Sequence, residues 1–366
     1  MIPFASPHSQ YKKLSKEIQA AIRLVLTSGE YILGPQVDSF EKEFAAYLNV
    51  PDVVGCANGT DALMLALRAH NIGVGDEVII PSHTATASVA AVSICGATPI
   101  FADIELDYYT LDIRDVMRKC TSRTKAIIAV HLYGQPANMK ELLSVARKHN
   151  LILIEDCAQA VGSAINGQKL GSIGDIGCFS FFPTKNLGAF GDAGAVACRN
   201  PAIAVRLKRL RQYGWNEERI SVESGLNSRL DELQAAILRV KLPRLDANNE
   251  ERLIQANRYH SAFLKLPVRS PLVRPGALHS YHLFVIRVAA CDRDLLVSYL
   301  AKKGIKCGIH YATPVHKMPY FASKVALPNT EKIVNEIVSL PLFPGLKLHE
   351  QKRVITAVHS FFDEKM

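Results

Sequence analysis

Between Val53 and Glu155 the chain alternates short apolar runs with amphipathic ones, and this alternation limits its fold more than any other feature. Runs of strand character fall at 53–56, 77–80, 99–103, 126–130 and 151–155, with helical patterns between them at 60–69, 84–95, 112–120 and 138–149. Strands separated by helix-length crossovers pair in parallel and take helices over both faces of the sheet, so a mainly parallel α/β architecture is predicted. Segments 177–182 and 194–198 lie closer together than a helical crossover allows, so at least one hairpin-like neighbour joins the sheet. Helices are expected over 9–27 and 37–48 ahead of this core, stopped by Ser28-Gly29 and separated by Gly34-Pro35. Helices 201–212, 230–241 and 244–264 follow it, with a polar loop at 213–227 and a break at Pro243. The remainder reads as strand 283–288, helix 292–303, strand 305–310 and helices 328–339 and 350–362. A large unit, 1–245, and a smaller C-terminal α/β unit, 246–366, are expected to meet near Pro243.

Three stretches in this frame carry chemistry. Gly177-Cys178-Phe179-Ser180-Phe181-Phe182 reads as a buried strand ended by Pro183, and Lys185 sits on the turn that follows, ahead of a glycine-rich segment. A lone lysine is most simply a surface residue, yet an amine held in apolar surroundings loses charge and gains nucleophilicity. Leu151-Ile152-Leu153-Ile154 is a buried run with Glu155-Asp156 at its end, and ligands of open α/β sheets bind outside the carboxyl ends of strands. Asp156 there serves either as a helix cap or as a site carboxylate. Asn58-Gly59-Thr60 turns the strand 53–56 into an apolar helix, where Gly59 and Thr60 offer N–H groups to a phosphate or simply cap the helix. An amine, an acid and a phosphate cradle at successive strand ends are what pyridoxal 5'-phosphate requires: Lys185 for a Schiff base, Asp156 for the pyridine nitrogen, Gly59 and Thr60 for the phosphate.

Composition narrows the class. The chain has 366 residues, 48% of them hydrophobic and 21% charged, as in an ordinary globular protein able to bury a large core. Lys plus Arg exceed Asp plus Glu by 43 to 34, a net +9, but the basic residues are scattered apart from Arg206, Lys208, Arg209 and Arg211. A small polyanion such as a nucleotide diphosphate accounts for the excess as well as nucleic acid does, and no nucleic-acid partner is expected. The eight cysteines form no C-x-x-C pair, which argues against a zinc site or a disulfide framework and suits a reducing cytosol. No metal is expected. Met1-Ile2-Pro3-Phe4 lacks the features of a signal peptide, and no apolar run reaches the length of a membrane span, so a cytoplasmic location without membrane association is expected.

Four motifs in order extend the reading: Gly-Thr-Asp-Ala-Leu at 59–63, Glu-Asp-Cys-Ala-Gln-Ala at 155–160, Gly-Asp-Ile-Gly-Cys-Phe-Ser-Phe-Phe-Pro-Thr-Lys-Asn at 174–186, and Asn-Ser-Arg-Leu-Asp-Glu-Leu-Gln-Ala-Ala-Ile-Leu at 227–238. Together they resemble the DegT/DnrJ/EryC1/StrS family of sugar aminotransferases, of the aspartate aminotransferase fold (fold type I), from about Tyr31 to the C-terminus. The resemblance implies that Lys185 is the catalytic lysine and Asp156 the partner of the pyridine nitrogen. It implies Gln159 near the cofactor's phenolic oxygen, Ser180 on its phosphate and a flat side chain, His83, stacked on its ring. It also implies a homodimer with shared active sites, in which Asn227 reaches the phosphate of the other subunit, and a sugar-side loop carrying His310 and Tyr311.

Read this way, the chain is expected to transfer an amino group from glutamate to a nucleotide-diphosphate sugar, with a dTDP-linked 3-keto-6-deoxyhexose aminated at C-3 as the expected substrate. Pro81-Ser82-His83-Thr84, the Tyr213-Gly214-Trp215 loop and the run from Asn227 to Leu242 are most similar to members that make 3-amino sugars. A 4-keto isomer, a UDP sugar or a cyclitol ketone shares the same core chemistry, and a regulator is the non-enzymatic alternative. Lys185 distinguishes the chain from related dehydratases that carry histidine there, while Phe182, tyrosine in many relatives, removes a hydroxyl from the pocket. Ala312-Thr313-Pro314 also departs from the commoner form of its loop.

Overall fold

The computed structural model describes residues 1–365. In chain order the elements are α1 (Pro7–Ser28), α2 (Pro35–Leu48), β1 (Asp52–Cys56), α3 (Gly59–Ala69), β2 (Glu77–Pro81), α4 (Thr86–Ile94), β3 (Thr98–Ala102), α5 (Ile113–Lys119), β4 (Thr124–Val130), α6 (Met139–His149) and β5 (Ile152–Asp156). A small hairpin, β6 (Ala164–Ile165) and β7 (Gln168–Lys169), precedes β8 (Ile176–Ser180), β9 (Gly194–Cys198) and α7 (Pro201–Leu210). Then come α8 (Glu232–Lys241), α9 (Leu245–Phe263), β10 (Ala277–Leu278), β11 (Phe284–Arg287), α10 (Ala290–Lys302), α11 (Pro328–Ile333), β12 (Ile337–Leu340) and α12 (Leu348–Asp363).

Seven strands form one sheet in the order β1-β9-β8-β5-β4-β2-β3. The pairs β3–β2, β2–β4, β4–β5 and β5–β8 are parallel, and β9 runs antiparallel between β8 and β1. The close spacing of the last two sheet segments therefore resolves as an antiparallel neighbour, joined by the long loop that carries Lys185. Alternate residues of the strands feed two cores. Val54, Ile80, Ile128, Ile154 and Cys178 face α3, α4 and α7, and Ile79, Ile127, Leu153, Phe179 and Phe181 face α2, α6 and α8.

The strand that leads to Lys185 is anchored by aromatic packing. Phe44 of α2 meets Phe179 and Phe181 edge-on, with centroids 5.0 and 5.3 Å away. Truncating one such buried ring to alanine costs about 3–5 kcal/mol. Gly34 cannot cap α2 with a side chain; instead the Glu232 carboxylate of α8 accepts N–H bonds from Gly34, Gln36 and Val37 at 2.9, 2.9 and 2.8 Å. At the other end of α8, Pro243 lies in a short 3-10 turn, Leu242–Arg244, before α9 begins. A third core gathers Ile2, Tyr259 and Phe263 of α9, β11, α10, β12 and α12.

Two C-terminal expectations need correction. The helix predicted over 328–339 ends at Ile333, and Ile337–Leu340 is a strand paired antiparallel with β11, Phe284 opposite Leu340. An Ile-Val-Ser-Leu run fits either element, and pairing with a buried strand outweighs local helix preference. Residues 305–310 form no strand; Ile305 and Gly308 make isolated bridges, to Ile2 and to Ser339. The β6–β7 hairpin was also unforeseen, although Asn166-Gly167 at its turn, with φ of 49° and 79°, is a strong local signal for one. Among the described residues no helix is long and apolar enough to cross a membrane.

Candidate active site

The carboxyl ends of β4, β5 and β8, the segment after β2 and the start of α3 enclose a cavity of about 470 Å³. Gly59, Thr60, Asp156, Gln159, Ser180 and Lys185 all lie on its wall, brought together from four segments of the chain. Their convergence follows from parallel pairing, which brings successive strand ends to one edge of the sheet.

The α3 start forms one side. Asn58 caps it, its side-chain oxygen accepting from the Asp61 N–H at 2.9 Å, so Gly59 and Thr60 open the helix at the cavity with N–H groups that have no partner within the helix. Only glycine fits at 59, since a Cβ there would stand 2.6 Å from the Cβ of Ser180. The close approach sets the Ser180 side chain beside the helix terminus, and this cradle suits a phosphate.

Lys185 stands on the loop between β8 and β9, on the wall of the same cavity. Its backbone N–H bonds to the Phe182 carbonyl at 2.8 Å, and the Ala189 N–H returns to the Phe181 carbonyl at 2.7 Å. Neighbouring Asn186 is buried and tied three ways: to Asn249 Oδ1 at 2.8 Å, to the Ser280 carbonyl at 3.0 Å and to His282 Nδ1 at 3.0 Å. From α8, Gln234 accepts the Phe190 N–H at 2.9 Å, and the buried Lys241 donates to the Gly188 carbonyl. The loop is thus rigid where the amine must be placed. Burial lowers the Lys185 ammonium from 10.5 to about 8, against the opposing pull of the Asp156 carboxylate.

Asp156 ends β5 and is nearly fully buried. One carboxylate oxygen accepts from Ser88 Oγ at 2.7 Å and the other from the Ala158 N–H at 3.1 Å, which fixes its plane. Gln159 is oriented just as firmly. Its Oε1 accepts the Tyr133 N–H at 2.8 Å, and its Nε2 donates to the Tyr311 hydroxyl at 3.0 Å, so the second Nε2 proton is left for the cavity. Tyr133 adopts φ 62°, ψ 2°, a left-handed conformation that costs a bulky residue about 1–2 kcal/mol.

His83 departs from the sequence reading. It is fully buried, its Nε2 lies 2.7 Å from the Tyr133 hydroxyl, and Thr84 and Ala85, not His83, line the cavity. The cause is long-range packing: after β2 the segment turns so that position 83 packs into the aromatic cluster of Tyr109 and Tyr133. Burial, then the charge of His310, lowers His83 to about 3, so it stays neutral.

Tyr311 reaches the site through Gln159, whereas the His310 ring turns away, stacked on Phe4 at 5.1 Å with Nδ1 2.9 Å from Ser339 Oγ. Asn227 is exposed, bridges to Gln212 and lies outside this cavity. Ser88, Asn186 and Tyr133 escaped the sequence reading. For Tyr133 a signal existed: His131-Leu132-Tyr133 follows β4 just as Asp156 closes β5, at the same edge of the sheet.

Among the described residues one buried group, His131, Glu155 and Cys157, has metal-ligand types in reach of one another. Burial pushes the Glu155 carboxyl up, but bonds from His131 and from the N–H groups of Gly171 and Gly174 outweigh it and hold the carboxyl low. Its oxygens are already occupied by donors, including the Ile173 N–H at 2.7 Å, and the His131 Nδ1 accepts the Ala137 N–H at 3.0 Å. This is a structural knot, not a metal site.

The lowered lysine leads to a measurable expectation. Near pH 7 the neutral fraction of an amine with a value of about 8 is roughly 300-fold that of an ordinary lysine. In the cofactor-free chain, amine labelling of Lys185 should therefore rise with pH only up to about 8 and then level off, while surface lysines keep rising toward 10.5. Peptide mass spectrometry after brief labelling reads both profiles; a Lys185 profile parallel to the surface lysines would refute the desolvated amine.

A half-buried amine facing a fixed carboxylate, with a helix-start anion seat beside them on an α/β sheet, defines the class of lysine-dependent fold-type-I transferases. The matching family model, the DegT/DnrJ/EryC1/StrS aminotransferase family, spans residues 12–359, and the chain belongs to that family. It is 44% identical over 365 residues to dTDP-3-amino-3,4,6-trideoxy-alpha-D-glucose transaminase of Streptomyces venezuelae, covering 98% of this chain and 96% of the relative. It is 45% identical over 364 residues to dTDP-3-amino-3,6-dideoxy-alpha-D-galactopyranose transaminase of Aneurinibacillus thermoaerophilus, covering 99% of each. A UDP-N-acetyl-3-dehydro-alpha-D-glucosamine 3-aminotransferase of Acidithiobacillus ferrooxidans is 43% identical over 360 residues, covering 98% of this chain and 97% of the relative. The crystal structure of S. venezuelae DesV superposes with a TM-score of 0.96 at 43% identity, covering 99% of this chain and 98% of that one. Similar solved structures include a sugar aminotransferase of Streptococcus pneumoniae determined in PMP and PLP forms, at 26% identity and a TM-score of 0.93.

Proposed function

We propose that this chain is a pyridoxal 5'-phosphate-dependent aminotransferase that moves an amino group from glutamate to the C-3 ketone of a dTDP-linked 3-keto-6-deoxyhexose. The observation that carries the reading is Lys185, an amine brought down to about 8 in the cavity that also holds Asp156 and the α3 start. The residues fit the cofactor: Gly59, Thr60 and Ser180 for its phosphate, Asp156 for the ring nitrogen, Gln159 for the phenolic oxygen and Lys185 for covalent attachment. Pyridoxal phosphate, when bound, supplies an electron-withdrawing ring that stabilises the charge left when a substrate C–H bond is broken. Asp156 keeps the ring nitrogen protonated, its own geometry held by Ser88 and Ala158. Lys185 Nζ, neutral in a large share of molecules near pH 8, takes the proton from the donor's α-carbon, and returns one to the sugar carbon that receives nitrogen.

Asn227, exposed beyond its own cavity, supports a homodimer in which it completes the phosphate site of the second subunit. Tyr311, bonded to Gln159 of the cavity wall, and half-exposed Phe182 are assigned to the sugar. The nucleotide and the C-3 position rest on relatives at 44% and 45% identity whose names specify dTDP-3-amino sugars. The test supplies glutamate with the dTDP-3-keto and dTDP-4-keto isomers separately and locates the new amine by NMR. Amination at C-3 of the dTDP sugar is expected. Nitrogen found only at C-4, or turnover only of a UDP sugar or a cyclitol, would reject this substrate and leave the aminotransferase standing.

A further inference from the structure

Tyr133, to which the proposed chemistry gives no role of its own, closes a ring of contacts with Gln159 and Tyr311. Its backbone N–H donates to Gln159 Oε1, the Gln159 Nε2 donates to the Tyr311 hydroxyl, and the carbonyl of adjoining His310 accepts from the Tyr133 hydroxyl. The ring returns to the residue where it began. Because the hydroxyl has a single proton and the His310 carbonyl only accepts, His83 must hold its proton on Nε2 and donate it to the Tyr133 oxygen at 2.7 Å. His83 Nδ1 is then a buried lone pair without a partner. The Tyr133 ring is edge-on to His83 and Tyr109, its carbonyl accepts the Leu283 N–H at 3.3 Å, and Gly134 beside it leaves no room for a Cβ, which would lie 2.6 Å from Ser280 Oγ. One buried residue in a left-handed conformation thus links the cavity wall to the segment 308–313.

We propose that Tyr133 is a positioning residue whose hydroxyl holds the 308–313 loop against the cavity, so that sugar binding, more than cofactor loading or the donor step, depends on it. Gln159 keeps its backbone tie when the hydroxyl is lost, and the cofactor side stays ordered; the loop loses the bond at its His310 carbonyl.

The experiment compares Tyr133→Phe with Tyr109→Phe in the full chain. Tyr109→Phe takes a buried hydroxyl from the same aromatic cluster but outside the ring of contacts. Hydrogen–deuterium exchange, read without substrate, should show amides of 308–313 exchanging about tenfold faster in Tyr133→Phe only, with α3 and β5 unchanged. In steady state the KM for the keto sugar should rise about tenfold, with the glutamate-dependent step within about twofold of the parent. The kinetic arm rests on the aminotransferase reading, but the exchange arm does not, so failure of that reading leaves the loop claim separately decided. Equal loop exchange in the two variants, no acceleration in either, or acceleration spread equally over α3 and β5 would overturn the proposal.

Discussion

Lys185→Ala is expected to lower transamination by about 10⁴-fold, because the amine supplies both the covalent attachment and the proton transfer. Among the described residues no other lysine lines the cavity, and Lys241, also brought down to about 8, lies outside it, enclosed and donating to the Gly188 carbonyl. Cofactor retention should survive, since Gly59, Thr60, Ser180 and Asp156 remain in place, but borohydride should no longer fix it to the protein. The fold should survive too, because truncation removes a desolvated charge and leaves the Asn186 and Phe190 anchors of the loop intact. Single-turnover absorbance with glutamate measures the loss. Activity within tenfold of the parent would exclude Lys185 as the reacting amine.

Asp156→Asn is expected to reduce kcat by roughly 10²–10³-fold, the range for removing one preorganised charge from a reacting centre. The substitution preserves shape: the asparagine oxygen can accept the Ala158 N–H, and the Ser88 hydroxyl can turn to accept from the new amide. It removes the charge. Asp156 is also what holds the Lys185 ammonium up against burial, so without it the amine must fall further below about 8. The labelling profile of Lys185 should then level off at lower pH, while kcat drops. A variant with lowered kcat and an unmoved lysine profile would show that the Asp156 charge does not act on Lys185 across the cavity they share.

How far residues alone lead depends on the range of the forces that place them. Asp156, Gly59 and Thr60 could be located because each falls where an apolar run stops, and in a parallel sheet those stops share one edge, whereas Ser180, inside its run, was marked only by the family resemblance. The β-α alternation from β1 to β5 was legible for a related reason: burial on both strand faces writes continuous apolar runs, and helices write their own period. Lys185 was marked by Pro183 and by the four linked motifs more than by its own surroundings.

Other features depend on partners far along the chain. Ile337–Leu340 is a strand because β11 lies beside it, not because its residues refuse a helix. The Gly34 end of α2 is capped by Glu232, nearly two hundred residues away. His83 turns from the cavity because Tyr133 and Tyr109 offer its ring a buried cluster, and no spacing rule describes that choice. Tyr133 gains its place through contacts to Gln159, His310 and Leu283 that meet only after the sheet and the C-terminal segments pack together. Local patterns therefore located the reactive groups, whose positions follow strand ends, while their orientation and support came from long-range packing, which hydrophobic periodicity does not encode.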